Sequence, residues 1–174
     1  MILWEICHVG GGTRLGHDPQ DDDRQKVKKR VVFICLGNSC RSIMAEALAR
    51  HFLGDTWGVA SGGTNPLGWV TRETLQVLAE IGLATEGLYS KGLAEINLEE
   101  CQVIVNLADR RLEPFLPPAF KGVLIHRPVL DPYGGSLELY RQTREDLKRL
   151  ITGELCQLLS PPKTPGHGEP PPEP

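Results

Sequence analysis

No stretch of this sequence stays apolar long enough to cross a bilayer as a helix, so a helical membrane protein is not expected. The opening residues do not read as a secretory leader either. Trp4, Glu5 and His8 interrupt any apolar core, and no basic segment precedes it. Positive charge is scarce as well: 19 Lys and Arg against 22 Asp and Glu leave a net charge of −3. No broad basic surface therefore argues for a nucleic-acid partner. Cysteine is sparse and odd in number, five in 174 residues. Disulfide scaffolds are shorter and use even counts, so reduced thiols in the cytoplasm are expected. Nor do the cysteines spell a metal site. Cys35 and Cys40 are spaced C-x4-C, and no second close pair of cysteines or histidines completes a ligand set. No metal or other cofactor is expected.

What is present divides into a core and two tails. Residues 1–29 hold Gly10-Gly11-Gly12, the acidic run Asp21-Asp22-Asp23 and much of a basic run, with little to bury. Such a stretch cannot offset its ordering entropy, and it reads as an unpacked tail. Residues 160–174 are mostly Pro, Gly, Glu and Lys and read as a second, extended tail. A single domain is expected over 30–159, without internal repeats.

Within that domain, β-rich runs alternate with helical patterns. Val31 to Cys35 reads as a buried parallel strand ending in the Gly37-Asn38 turn. A helix follows over 42–53, with Met44, Ala47, Leu48, His51 and Phe52 inward. Trp57 to Ala60 is a second strand, closed by a Ser61-Gly62-Gly63-Thr64 turn. Thr71 can cap a helix that buries Thr74, Leu75, Leu78 and Ile81 and ends at Gly82. A short helix is expected over 93–100, strands over 103–107 and 123–126, and a last helix capped by Ser136. That last helix turns Tyr140, Leu147, Leu150 and Ile151 to the core. The alternation predicts a parallel sheet with helices on both faces. Ligands in such folds bind at the carboxyl ends of strands, and the first strand ends at Cys35.

The segment Cys35-Leu36-Gly37-Asn38-Ser39-Cys40-Arg41-Ser42 therefore lies where chemistry is expected. A cysteine six positions before an arginine is a weak signal by itself. Its place between a strand and a helix gives it meaning. Gly37 and Asn38 tolerate the left-handed backbone a sharp turn needs. Successive N–H groups of such a turn form a concavity for an oxyanion, and the following helix points its N-terminus there. That setting favours the Cys35 thiolate, which can attack phosphorus without a separate base. Arg41 can hold two phosphate oxygens in its fork, and Ser42 can hydrogen-bond the sulfur. The bland alternative is a buried cysteine at a strand end.

Departure of an alcohol or phenol needs a proton. Asp131, in Asp131-Pro132-Tyr133-Gly134-Gly135 after the fourth strand, is the candidate acid, although Asp-Pro before Gly-Gly is also ordinary turn chemistry. Asp109, after the third strand, is the runner-up. His126 is read as a strand residue that fills space. Tyr133 is placed to stack on an aromatic substrate or to cover the loop.

These residues resemble the low-molecular-weight protein tyrosine phosphatases. The cradle matches the family's C-x-G-N-x-C-R-S from Cys35 to Ser42 and continues into Met44-Ala45-Glu46-Ala47. Ser61-Gly62-Gly63-Thr64 stands where the family has Ser-Ala-Gly-Thr, and Asp131 to Ser136, followed by Tyr140-Arg141, resembles its acid loop and final helix. The resemblance implies a three-layer α/β fold around a four-stranded parallel sheet, and hydrolysis of phosphotyrosine or small aryl phosphates to inorganic phosphate. It makes Cys35 the nucleophile, Arg41 the phosphate clamp and Asp131 acid then base. It places Leu36, Gly37, Asn38, Ser39, Cys40, Ser42 and Tyr133 around the substrate, with Asn38 holding the loop and Ser42 supporting the thiolate. Cys40 corresponds to a second cysteine able to bond Cys35 on oxidation; otherwise it is only a small residue. Ile43 departs from the proline many members carry there.

Two other functions stay open. The arsenate reductase branch of the same fold often carries Gly-Asn-Ser-Cys-Arg-Ser, as here from Gly37 to Ser42. That chemistry needs resolving cysteines after the third strand, and residues 106–121 contain none, while Cys101 precedes the strand. A phosphate-binding module without catalysis is the third reading.

Overall fold

The computed structural model describes residues 29–159. The tails expected over 1–29 and 160–174 lie outside them, except for Lys29, which opens the first strand. Four strands, β1 (Lys29–Cys35), β2 (Trp57–Gly63), β3 (Val103–Asn106) and β4 (Val123–His126), form one sheet in the order β2-β1-β3-β4. All neighbours are parallel; Val31 aligns with Val59 on one side and with Val103 on the other. β1 is thus central, and β-branched side chains let it bury both faces.

The strand period sends alternate β1 residues to opposite layers. Val31, Phe33 and Cys35 join the helical core, while Val32 and Ile34 join a second cluster with Leu98, Cys101, Ile104 and Leu112. Helices lie on both faces, as the alternation predicts, but they differ in kind. The core on the Phe33 side contains residues of α1 (Arg41–Leu53), α2 (Arg72–Ala79) and α3 (Leu137–Leu150). On the Ile34 side, Leu93 and Leu98 of two short 3-10 turns and loop residues such as Leu112 and Phe120 supply the cover.

Several boundaries differ from the sequence reading. His51 and Phe52 are exposed, while every residue from Arg41 to Ala49 is buried. α1 packs against both α2 and α3; its first half is enclosed, so no single face marks it. In α2 the buried set is Thr74, Val77 and Leu78; Leu75 is half-buried and Ile81 exposed. The helix expected over 93–100 is two 3-10 turns, Leu93–Glu95 and Leu98–Glu100, because Ile96 between them is extended. A single helix that short is marginal in any case. Leu150 is half-buried, and the chain continues through a π-type turn, Ile151–Leu155, into α4 (Cys156–Leu159). The caps form as read: Ser136 accepts from Leu139 N, and Thr71 from Thr74 N, each at 3.3 Å.

β2 runs on through Ser61-Gly62-Gly63, where a turn was expected, and Gly63 pairs with Cys35. A Cβ on Gly63 would lie 2.7 Å from Leu36 O and 3.0 Å from Asn38 N. Only glycine lets β2 come this close to the turn after β1. That close approach builds the site.

Candidate active site

The turn after β1 is hung on a second segment by its carbonyls. Thr64 N donates to Cys35 O (3.1 Å), Asn65 N to Leu36 O (2.9 Å), Leu67 N to Gly37 O (3.0 Å) and Thr71 N to Ser39 O (3.2 Å). Ser90 Oγ adds a bond to Gly37 O, and Thr74 Oγ1 one to Ser39 O. A trans peptide points its N–H opposite its C=O, and no described peptide here is cis. The N–H groups of Leu36, Gly37, Asn38 and Cys40 therefore turn away from the 64–71 segment and toward the opening. α1 starts immediately afterwards, with no side-chain cap and no acidic residue in its first turn. Its N-terminal N–H groups are left for another acceptor.

Asn38 holds the sharpest point, at φ 44°, the one non-glycine positive φ among the described residues. Its amide is nearly saturated: Nδ2 donates to Ser42 Oγ and Ser61 Oγ, and Oδ1 accepts from Lys91 N, each at 2.8 Å. Ser42 Oγ lies 3.0 Å from Cys35 Sγ. Because Asn38 donates to Ser42, the Ser42 hydroxyl hydrogen is free to point at sulfur. Behind this layer, the buried Glu46 carboxylate accepts from Ser61 Oγ, Arg50 and, at 3.2 Å, Lys91 Nζ. A fully buried carboxylate needs such partners.

Arg41, itself buried, reaches across to the ends of the other strands. Nη1 donates to Val129 O (3.2 Å) and, more weakly, to Leu107 O (3.4 Å), while Nη2 bonds the Asp131 carboxylate. Asp131 also accepts from Tyr133 N at 3.2 Å. Arg41 Nε and Ser39 Oγ are buried without a hydrogen-bond partner in the protein. Buried donors of this kind normally find an acceptor, and both residues line the same pocket.

That pocket is lined by Cys35, Leu36, Gly37, Ser39, Cys40, Arg41, Asp131 and Tyr133, and by Asn65 and Leu67. Eight of these were expected from sequence. Asn38 and Ser42 are fully buried behind the wall, serving the loop and the sulfur instead of lining the opening. Asp109 sits on the neighbouring loop, exposed, and lines an adjoining cleft. His126, read as filling space, is exposed at the end of β4, with Nδ1 3.0 Å from Asn106 Nδ2. Cys40 packs 3.5 Å from Tyr140 OH and 3.6 Å from Thr71 Oγ1. Burial pushes its thiol up, against the opposing pull of those hydrogen bonds.

The model for low molecular weight phosphotyrosine protein phosphatases matches residues 30–160. The chain belongs to this family. Family membership makes it a cysteine-based phosphatase or a related enzyme. Among curated relatives, an arsenate reductase of Staphylococcus epidermidis is 35% identical over 127 residues, covering 71% of this chain and 94% of the relative. Among solved structures, a low-molecular-weight protein tyrosine phosphatase from T. tengcongensis superposes at TM-score 0.64 with 30% identity, covering 74% of this chain and 99% of that one. The YwlE arginine phosphatase from Geobacillus stearothermophilus superposes at TM-score 0.66 with 26% identity, covering 80% and 99%.

Against these low-molecular-weight phosphatase relatives, the positions of the thiols matter. Cys101 precedes β3, beside the start of β1, where Gln102 N bonds Arg30 O. At roughly 3.3 Å per residue, the length of β1 puts it well over 10 Å from Cys35. It is buried, and burial pushes its thiol up too. Sequence reasoning missed Asn65 and Leu67 of the pocket and the Ser61, Glu46 and Lys91 support. Asn65-Pro66-Leu67-Gly68 gives only a turn signal, and nothing local tells that it crosses the cradle.

Proposed function

We propose that the chain hydrolyses phosphate monoesters, phosphotyrosine in proteins first among them, through a phosphocysteine intermediate on Cys35. The observation that carries this is the pair of partnerless buried donors, Ser39 Oγ and Arg41 Nε, in the wall of a pocket that also holds Cys35. They supply what a tetrahedral oxyanion needs beside a ring of main-chain N–H groups. Cys35 Sγ attacks phosphorus, the P–O ester bond breaks, and Asp131 gives its proton to the leaving oxygen. Water then attacks the phosphocysteine, Asp131 takes a proton from it, and the S–P bond breaks to release inorganic phosphate. Ser42, already hydrogen-bonded to the sulfur, stabilises the thiolate as it leaves. Arg41 gathers the charge of both transition states.

Leu36, Leu67 and the exposed Tyr133 give the opening an apolar rim suited to an aryl ring. The same reading takes small aryl phosphates as substrates, needs no metal or cofactor, and has no role for nucleic acid or membrane. Among the described residues no helix is long and apolar enough to cross a membrane. A cytoplasmic location belongs to this reading, because the nucleophile must stay reduced. Cys40, in the same pocket wall, is then the partner for reversible oxidation of Cys35.

Arsenate reduction is the second reading, favoured by the names of the curated relatives. Residues 106–121 offer no resolving thiol for it. The test is aryl phosphate hydrolysis beside thioredoxin-coupled arsenate reduction, each with wild type and Cys35→Ser. Phosphate release that Cys35→Ser abolishes, with phosphate binding retained, supports the proposal. Arsenate turnover without phosphatase activity overturns it.

A further inference from the structure

The catalytic pocket, about 160 Å³, adjoins a second and larger cleft of about 550 Å³. The two share Leu36, Arg41 and Asp131. A ligand whose phosphate sits on Arg41 therefore has this cleft beside it. One wall is the loop Ala108-Asp109-Arg110 after β3; the other is Pro128-Val129-Leu130 after β4. The smaller pocket accommodates the phosphate and the start of its side chain. The cleft has room for several more residues, which no small aryl phosphate would fill.

The walls are prearranged. Asn106, buried at the end of β3, donates to Arg110 O at 2.7 Å and accepts from Ala108 N at 3.0 Å, so it clamps the loop at both ends. Opposite, Val129 N bonds Leu107 O, and Val129 O accepts from Arg41. Leu130 is 66% exposed and Leu36 37%; together they offer apolar surface along a trough whose frame is rigid. A fixed frame lowers the ordering cost of binding an extended chain.

The charge is as informative as the shape. Arg111 pairs with Glu113 at 3.5 Å, but the Arg110 guanidinium makes no ion pair or side-chain hydrogen bond among the described residues. Of these two neighbouring arginines, the one that lines the cleft is the uncommitted one.

Resting on the phosphatase reading, we propose that this cleft seats the polypeptide beside the phosphorylated residue, and that Arg110 selects an acidic residue there. Specificity of this kind comes from a charge at the rim of a binding site, and its reversal shows as a change of preference, not as loss of turnover.

The test uses two phosphotyrosine peptides alike except for Glu or Lys flanking the phosphorylated residue, with para-nitrophenyl phosphate as the small reference. The wild type is expected to favour the Glu peptide in kcat/KM. Arg110→Glu is expected to lower that preference about tenfold, acting through KM, with Arg110→Gln between the two. Peptide binding to the Cys35→Ser background should follow the same order. An unchanged Glu-to-Lys ratio in Arg110→Glu overturns the inference. Hydrolysis of para-nitrophenyl phosphate but neither peptide overturns it too, and leaves standing phosphate monoester hydrolysis through Cys35 but not its preference for phosphotyrosine. Hydrolysis of nothing removes both.

Discussion

The carboxylate of Asp131 lies on the guanidinium of Arg41, at the mouth of the pocket that holds Cys35. Arg41 is buried, while the Asp131 side chain is 43% exposed. The proposed acid and the proposed clamp therefore share one bond, and on that reading an incoming phosphate competes with Asp131 for Nη2. Two consequences separate cleanly. Asp131→Ala should lower kcat for aryl phosphates with poor leaving groups by about a hundredfold, the low end for a positioned acid. The same variant should bind inorganic phosphate more tightly, read as a stronger competitive inhibition constant. Unchanged rates across leaving groups would move the acid to another residue, with Asp109 next.

Ser42→Ala removes the hydroxyl that meets the sulfur at 3.0 Å. A hydrogen bond to an ionised group contributes about 1.5–3 kcal/mol, so a drop in kcat of about ten- to a hundredfold is expected. Iodoacetamide should also alkylate Cys35 more slowly at neutral pH. Mass spectrometry of the labelled peptide checks this without relying on turnover.

Lys91 and Glu46 form a buried ion pair behind the cradle, their side chains 8% and 1% exposed. Removing Lys91 takes one of the two cationic partners of Glu46 and leaves Arg50, so the cost is about 1.5–3 kcal/mol, less than for a buried charge stranded alone. Lys91→Met is expected to lower stability by that order in urea unfolding. Adding Glu46→Leu should recover part of the loss, since an apolar pair leaves no charge behind. If Lys91→Met unfolds at the wild-type midpoint, the pair contributes nothing.

Gly63→Ala tests the close approach of β2 to the turn after β1. Its methyl meets Leu36 O and Asn38 N, main-chain atoms that cannot swing aside. Overpacking of this kind costs about 1–3 kcal/mol. Phosphate affinity should fall further than stability does, because the displaced atoms belong to the anion seat.

Stability should also decline in alkali. In the folded chain, burial pushes Cys40 and Cys101 up, and burial again raises Tyr140. An unfolded cysteine releases its proton near pH ~8.5. Above that value the unfolded state binds fewer protons than the folded one, so stability falls as pH rises. It is fully present below the unfolded value. The unfolding free energy between pH 7 and 10 should slope downward, less steeply in Cys40→Ala.

The sequence told most about the sheet and the cradle. The β-rich run Val31 to Ile34 suits a buried strand, and Gly37-Asn38 before a helix leaves few shapes for the loop. Those signals are local, carried by β-branched runs and by residues that tolerate positive φ. What escaped was decided at a distance. Glu46 looks like a surface charge in a helical pattern, and only the packing of α1 on β2, with Ser61 and Lys91 over the carboxylate, buries it. Ser61 and Lys91 join it from other parts of the chain, and no spacing rule connects them. Asn65 and Leu67 reach the pocket through bonds to cradle carbonyls, a long-range pairing that leaves no periodic trace. His51 and Phe52 fail for the same reason as Glu46: enclosure on several sides erases amphipathic order.

The carbonyls of Cys35, Leu36, Gly37 and Ser39 are fastened by other main-chain atoms, so the seat proposed for a tetrahedral anion is written in backbone. The side chain at Leu36 can change without dismantling it. A scaffold of this sort accepts any oxyanion of similar size, and identity then resides in whatever surrounds the seat: an acid, a spare thiol, or a trough for a longer guest.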